Sequence, residues 1–186
     1  MTTVRHLTMT ELEAGLDEIR NAPKDCGLLQ LIVRRPNVDQ RETLEEAELD
    51  PAEGLVGDSW NRRHSSRTPD RSPHPEMQLN IMNARVAALV AQDKGRWQLA
   101  GDQLYLDMDL SAENLPAGTR LAIGLAVIEV SPLPHTGCNK FMARFGLDAM
   151  KFVNSPVGRE LHLRGINAKV IQSGMIRVGN AAKKLC

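Results

Sequence analysis

Only six aromatic side chains, three cysteines and no net charge are found in these 186 residues, and no apolar run reaches the roughly 18 residues that a membrane helix needs. Each shortage excludes something. The 23 Lys+Arg balance 23 Asp+Glu, which removes the long-range field that phosphate-backbone binding relies on, so no nucleic-acid partner is expected. Cys26, Cys138 and Cys186 form no CxxC pair and no zinc-finger spacing, which argues against a disulfide framework, a zinc ribbon or an iron-sulfur set. Without a disulfide framework, a reducing, cytoplasmic setting is expected. The opening segment MTTVRHLTMTELEAGLDEIR is charged and lacks an apolar signal core, so neither secretion nor a membrane partner is expected. No flavin fingerprint is present.

What is there reads as one domain, mainly β, preceded by a short helical extension. Thr10 and Glu13 have capping-box spacing, and Leu12, Leu16 and Ile19 recur at helical intervals until Pro23. These residues predict a helix within residues 1–24. GLLQLIVRRP from Gly27 predicts a buried first strand, and EGLVGD a tight turn with Asp58 capping it. MQLNIM followed by Asn83 and RVAALVAQ predicts a strand running into a capped helix. QLYLDMDL alternates strictly and predicts a strand with one wet face. AGTRLAIG and AVIEVS predict two more strands about a Gly turn, and INAKVIQSG with MIRVGN a pair joined at Ser173 and Gly174. Many short strands with few helices predict a small barrel or folded-over sheet.

Two segments carry chemistry. In PHTGCNKFMARFG, Thr136 is a candidate N-cap that places Cys138 in the first turn of a helix, where exposed N–H groups favour a thiolate. His135, Lys140 and Arg144 flank it, and all three phenylalanines, Phe141, Phe145 and Phe152, follow as anchors. The same local pattern also suits a small buried hydrophobe, which is how Cys26 reads. Cys186, the last residue, is given no role. The second segment, NRRHSSRTPDRSPHP, has four arginines against one aspartate. Arg62, Arg63, Arg67 and Arg71 suit a phosphate cradle, and equally a solvated mobile loop. His64 and His74 lack a third metal ligand at a telling spacing.

In order along the chain, GLVGD (Gly54 to Asp58), His74, TRLAIG (Thr119 to Gly124), IEVSPLPHTGCNKF (Ile128 to Phe141) and GINAKVIQSGMIRVGN (Gly165 to Asn180) resemble a MOSC domain. This is the module named for the C-terminal part of molybdenum cofactor sulfurases. The likeness spans roughly residues 25 to 182 and implies a small closed β-barrel over residues 25–186 with a few short peripheral helices. It departs at His74-Pro75-Glu76, where the family commonly has His-Gly-Gly, and at His135-Thr136-Gly137 before the cysteine. It departs again at Asn180, where an Asp is usual.

The resemblance implies that Cys138 is the catalytic residue, either ligating molybdenum or carrying a persulfide. The implied cofactor is the molybdenum cofactor, whose phosphate Arg62, Arg63, Arg67, Arg71, His74, His135, Lys140 and Arg144 could hold, with Arg159 or Arg164 assisting. It implies an oxidoreductase acting on small N-hydroxylated molecules and taking electrons from a donor protein. The alternatives are a sulfur carrier served by a cysteine desulfurase, and a non-catalytic cofactor-binding module. Pyridoxal phosphate, linked to fused family members, is not expected in a chain this short.

Overall fold

A computed structural model describes residues 4–185, so Cys186 lies outside the described residues. The chain opens with two single-turn helices, α1 (Met9–Glu13) and α2 (Leu16–Arg20). The cap of α1 is Thr8, not Thr10. Its hydroxyl accepts from the Glu11 amide while the Glu11 carboxylate accepts from the Thr8 amide at 2.8 Å. Arg5 clasps Glu11 through both terminal guanidinium nitrogens, at 2.6 and 2.9 Å, and this selects the earlier of two Thr-x-x-Glu frames.

Strands follow as β1 (Cys26–Arg34), β2 (Glu42–Leu44), β3 (Glu46–Asp50), β4 (Gly54–Leu55) and β5 (Leu79–Asn83). Asn83 caps α3 (Ala84–Ala91) by accepting from the Arg85 amide, as its place after the strand predicts. Then come β6 (Leu104–Asp107), β7 (Arg120–Ile123) and β8 (Ala126–Pro134), and the helices α4 (Asn139–Phe145), α5 (Leu147–Asn154) and α6 (Pro156–Glu160). Strands β9 (Ile166–Gln172), β10 (Gly174–Arg177) and β11 (Ala181–Lys184) end the fold.

Seven strands close on themselves in the order β1-β11-β7-β8-β9-β5-β6 and back to β1, with β2 added to β1. Only the β5–β6 pair of this barrel is parallel. The closed β-barrel with short helices outside it is the architecture that the resemblance implies. The predicted β9–β10 pair is corrected: β10 leaves the barrel and pairs with β3, which pairs with β4, in a separate three-stranded sheet.

Alternation sorts the side chains into two cores. Leu29, Ile32, Ile81, Leu104, Leu106, Ile128 and Val170 fill the barrel. Val33, Met82 and Tyr105, from the opposite faces of the same strands, pack outward against α3 and the phenylalanines of α4 and α5. The predicted wet face of β6 is therefore wrong, because the helical layer covers it. Tyr105 is fully buried and donates to the Trp97 carbonyl at 2.6 Å. Cys26, predicted buried, is exposed, since it starts β1 on the outward side of the alternation.

Candidate functional site

Cys138 is exposed on a rigid mount. It is itself the N-cap of α4, in extended conformation (φ −124°, ψ 176°), so Thr136 does not hold that position. The reason lies in α5. Asn154 accepts from the Gly137 amide at 2.8 Å and donates to the Gly137 carbonyl at 3.1 Å, pinning the chain just before the cysteine. A Cβ on Gly137 would press on Val153, so this close approach requires glycine. Behind the cysteine, Phe141 and Phe145 are each 1% exposed, with ring centroids 4.9 Å apart. The aromatic anchoring expected from the sequence is present.

Four arginines, Arg35, Arg41, Arg63 and Arg144, lie within electrostatic reach of one another. Arg35, just past β1, is buried and makes a bidentate pair with buried Asp58, with both bonds at 3.0 Å. Asp58 also accepts from the Trp60 amide, so the turn cap read from the sequence is the smaller part of its role. Arg35 donates further to Asn80 at 3.1 Å and to the Gly101 carbonyl at 2.8 Å. Above Gly101, terminal nitrogens of Arg41 and Arg144 lie 3.9 and 3.8 Å from where a Cβ would sit. Arg144 is tethered to the Leu99 carbonyl, and both it and Lys140 lean toward exposed Asp39, at 3.7 and 3.9 Å.

The positive charge of this group is incompletely neutralised. Burial, then Arg144 and Arg35, disfavour the charged form of Arg41, whose buried Nε has no hydrogen-bond partner. Burial and then Arg35 act on Arg63 in the same direction, with Asp58 offsetting part of the effect. Partly buried guanidinium groups that crowd one another are stabilised by an incoming anion.

Of the loop arginines, Arg63 and Arg67 line a cavity of about 260 Å³ with Arg35, Trp60, His64, His74 and Asn80. Arg62 turns away to the Pro36 carbonyl, and Arg71, at φ 60°, lies outside the lining. His74 caps a short turn by accepting the Glu76 amide at Nδ1, 3.2 Å away. A polar chain links this cavity to the cysteine segment. Asn80 donates to Asn167 at 2.7 Å, and Asn167 donates to the Leu133 carbonyl, two residues before His135, at 3.0 Å.

A second buried ion pair stands beneath α4. Arg164 donates to Asp102 at 2.7 Å and to the Ala100 carbonyl at 2.9 Å, and its guanidinium lies 5.0 Å from the Phe141 ring centroid. Nδ1 of His135 is 3.5 Å from the other oxygen of Asp102. Burial, Arg164 and Arg35 push the His135 pKa well below the ordinary 6.5. Arg159 lines a separate hollow with His135.

Arg35, Arg41, Asn80 and Asp102 were not singled out in the sequence. Arg35 had one legible signal, an arginine directly after an apolar strand with an aspartate closing a later glycine turn. Arg41 and Asp102 had none, because neighbours distant in sequence create their setting. Among the described residues no group of three or more His, Cys, Asp or Glu is placed to hold a metal ion, so His64 and His74 form no such site. No helix among them is long and apolar enough to cross a membrane.

No protein-family model matches the chain, and no curated protein matches its sequence. Solved structures do match its fold. The YuaD protein of Bacillus subtilis is 15% identical, with 84% of this chain and 94% of that chain covered at a TM-score of 0.57. YiiM from Escherichia coli is 19% identical, with 86% and 70% covered at 0.54. YiiM from Geobacillus stearothermophilus is 14% identical, with 86% and 73% covered at 0.51. At these identities the likeness is one of fold, and it agrees with the order of motifs along the sequence: the chain folds as a MOSC-type β-barrel.

Proposed function

We propose that the chain binds a molybdenum cofactor through Cys138 and reduces small N-hydroxylated compounds with electrons from a partner protein. One observation carries this reading: an exposed cysteine is fixed at a helix cap in the segment where a polar chain from Arg35, one of several crowded and only partly neutralised arginines, ends at the Leu133 carbonyl. The residues present suit that group. A soft thiolate matches a metal already held by sulfur, and guanidinium groups match an anionic phosphate. Cys138 would hold the metal, while Arg35, Arg41, Arg63, Arg67 and Arg144 would hold the phosphate. The bound cofactor supplies oxygen-atom removal.

The chain's own residues do the rest. Asn154 and the phenylalanine pair keep the cysteine from shifting. Asp58 fixes Arg35, so its one remaining N–H, on Nη2, has a set direction. The network orients what binds and holds its charge at low reorganisation cost. In the overall change the N–O bond breaks, two electrons and two protons enter, and oxygen leaves as water. The electrons come from outside the chain.

Turnover with a chemically reduced viologen dye and an N-hydroxylated base tests the reading. Protein from a host that makes the cofactor is expected to form the amine, and Cys138→Ala to lose at least about a hundredfold in kcat/KM, because the variant lacks the residue that would hold the metal. A sulfur-carrier role is supported instead if no amine forms and mass spectrometry finds an extra sulfur on Cys138. Bound cofactor with neither activity nor labile sulfur supports a storage module.

A further inference from the structure

His135 lies outside the arginine-lined cavity and faces other space. Thr136, Asn154, Arg159 and His162 bound with it a hollow of about 270 Å³. Its Nδ1 is buried without a hydrogen-bond partner, yet the side chain keeps 15% exposure. The exposure therefore lies elsewhere on the side chain, and Nε2 is not among the buried atoms without a partner. Opposite Nδ1, at 3.5 Å, stands Oδ1 of Asp102, itself buried and also without a partner. The other carboxylate oxygen is taken by Arg164 at 2.7 Å; burial raises the Asp102 pKa, and Arg164 opposes that rise.

With Asp102 ionised in its pair with Arg164, two orphaned buried atoms that face each other have one arrangement that satisfies both. The ring proton sits on Nδ1 and is shared with the carboxylate. A protonated Oδ1 would instead donate to Nδ1 and leave the ring proton on Nε2. With the carboxylate ionised, a proton on Nε2 would set a nitrogen lone pair against a carboxylate oxygen. A second proton is disfavoured by burial, by Arg164 and by Arg35. Arg159 and His162, across the hollow, add no negative charge that would invite one. The ring is thus neutral with its lone pair on Nε2, and His135 lines the hollow. That hollow is tied to Cys138, because Asn154, one of its walls, is the residue that pins Gly137.

We propose that His135 is a substrate-recognition residue. Asp102 fixes its proton on Nδ1, and Nε2 accepts a hydrogen bond from the hydroxyl of an N-hydroxylated ligand in this hollow. The identity of the ligand rests on the reductase reading; the placement of the proton does not. The full chain, labelled with ¹⁵N at histidine and purified without added metal or cofactor, provides the test by long-range ¹⁵N–¹H correlation at about pH 6 to 8. The His135 proton is expected on Nδ1. Asp102→Asn, whose amide can donate to Nδ1, is expected to move it to Nε2. Should that variant fail to fold, the assignment in the unaltered chain still decides. Acetohydroxamic acid is expected to shift the Nε2 signal, and its O-methyl ether, which lacks the hydroxyl donor, to bind about tenfold more weakly, the ratio one neutral hydrogen bond provides. In His135→Ala the two probes should bind alike. A proton on Nε2 in the unaltered chain, or equal affinity of both probes for it, overturns the proposal. Failure of the molybdenum reading would appear in metal content and leave these readouts in place.

Discussion

Asp58 looks in the sequence like the end of a glycine turn, and in the fold it is the counter-ion of a buried arginine. Removing one partner of such a pair leaves a charge without compensation. Asp58→Asn is therefore expected to lose about 3 kcal/mol in a urea unfolding experiment. His135 makes a second residue-scale prediction, on pH. Its folded pKa lies well below its unfolded value near 6.5, so below 6.5 the unfolded chain takes up a proton that the folded chain refuses. Stability from this residue is complete above 6.5 and falls as pH is lowered through the window beneath it. Asp102, raised by burial, acts in the opposite direction from about 3.8 upward. Between pH 6.5 and 5.5 the His135 contribution is on the order of 1 kcal/mol. Urea midpoints of the unaltered chain should drop across that interval by more than those of His135→Gln; equal drops would contradict the assignment. Single residues were legible where local chemistry sets their role, as for Asn83 at its helix cap. They were illegible where distant chain sets it, as for Arg41 above Gly101.

The mount of Cys138 belongs to the scale of elements. Gly158 in α6 sits where a methyl group would strike the backbone carbonyls of Phe152 and Val153, at the end of α5. Gly158→Ala is therefore expected to displace α6 from α5, lowering the thermal midpoint and broadening the amide signals of Gly137 and Cys138; unchanged spectra would refute the linkage. At α1 the sequence TMTELE offers two capping boxes, Thr8 with Glu11 and Thr10 with Glu13. Nothing within those six residues chooses between them. Arg5 does, and with the Thr8 bonds it draws the Glu11 carboxyl from 4.5 down to about 2. The box is formed above pH 4.5 and is lost as pH falls toward 2. A carbon-detected titration should find Glu11 well below the ordinary 4.5, and Arg5→Ala should raise it. The wet face assigned to β6 shows the same limit: alternation gives two faces, while only the helices packed outside decide that both are dry.

For the whole molecule, closure is the feature least visible in the sequence. Six of the seven barrel strands were recognisable; β2, β3 and β4, in an acidic and weakly patterned stretch, were not, nor was β11, which joins β7 to β1. Its pattern AAKK is weak because a short pairing strand needs little apolar surface of its own. The order of motifs, by contrast, implied the barrel through family likeness, a signal spread over the whole chain. A chain stopped at Asn180 leaves open edges on β1 and β7 and is expected to lose cooperative unfolding. The central claim, a cysteine that holds molybdenum, is tested most directly by elemental analysis of purified protein from a host that makes the cofactor. Molybdenum near one atom per chain, falling to background in Cys138→Ala while the variant keeps its circular dichroism spectrum, is the expected result. Molybdenum absent from the unaltered protein, or retained in full by the folded variant, would contradict the account.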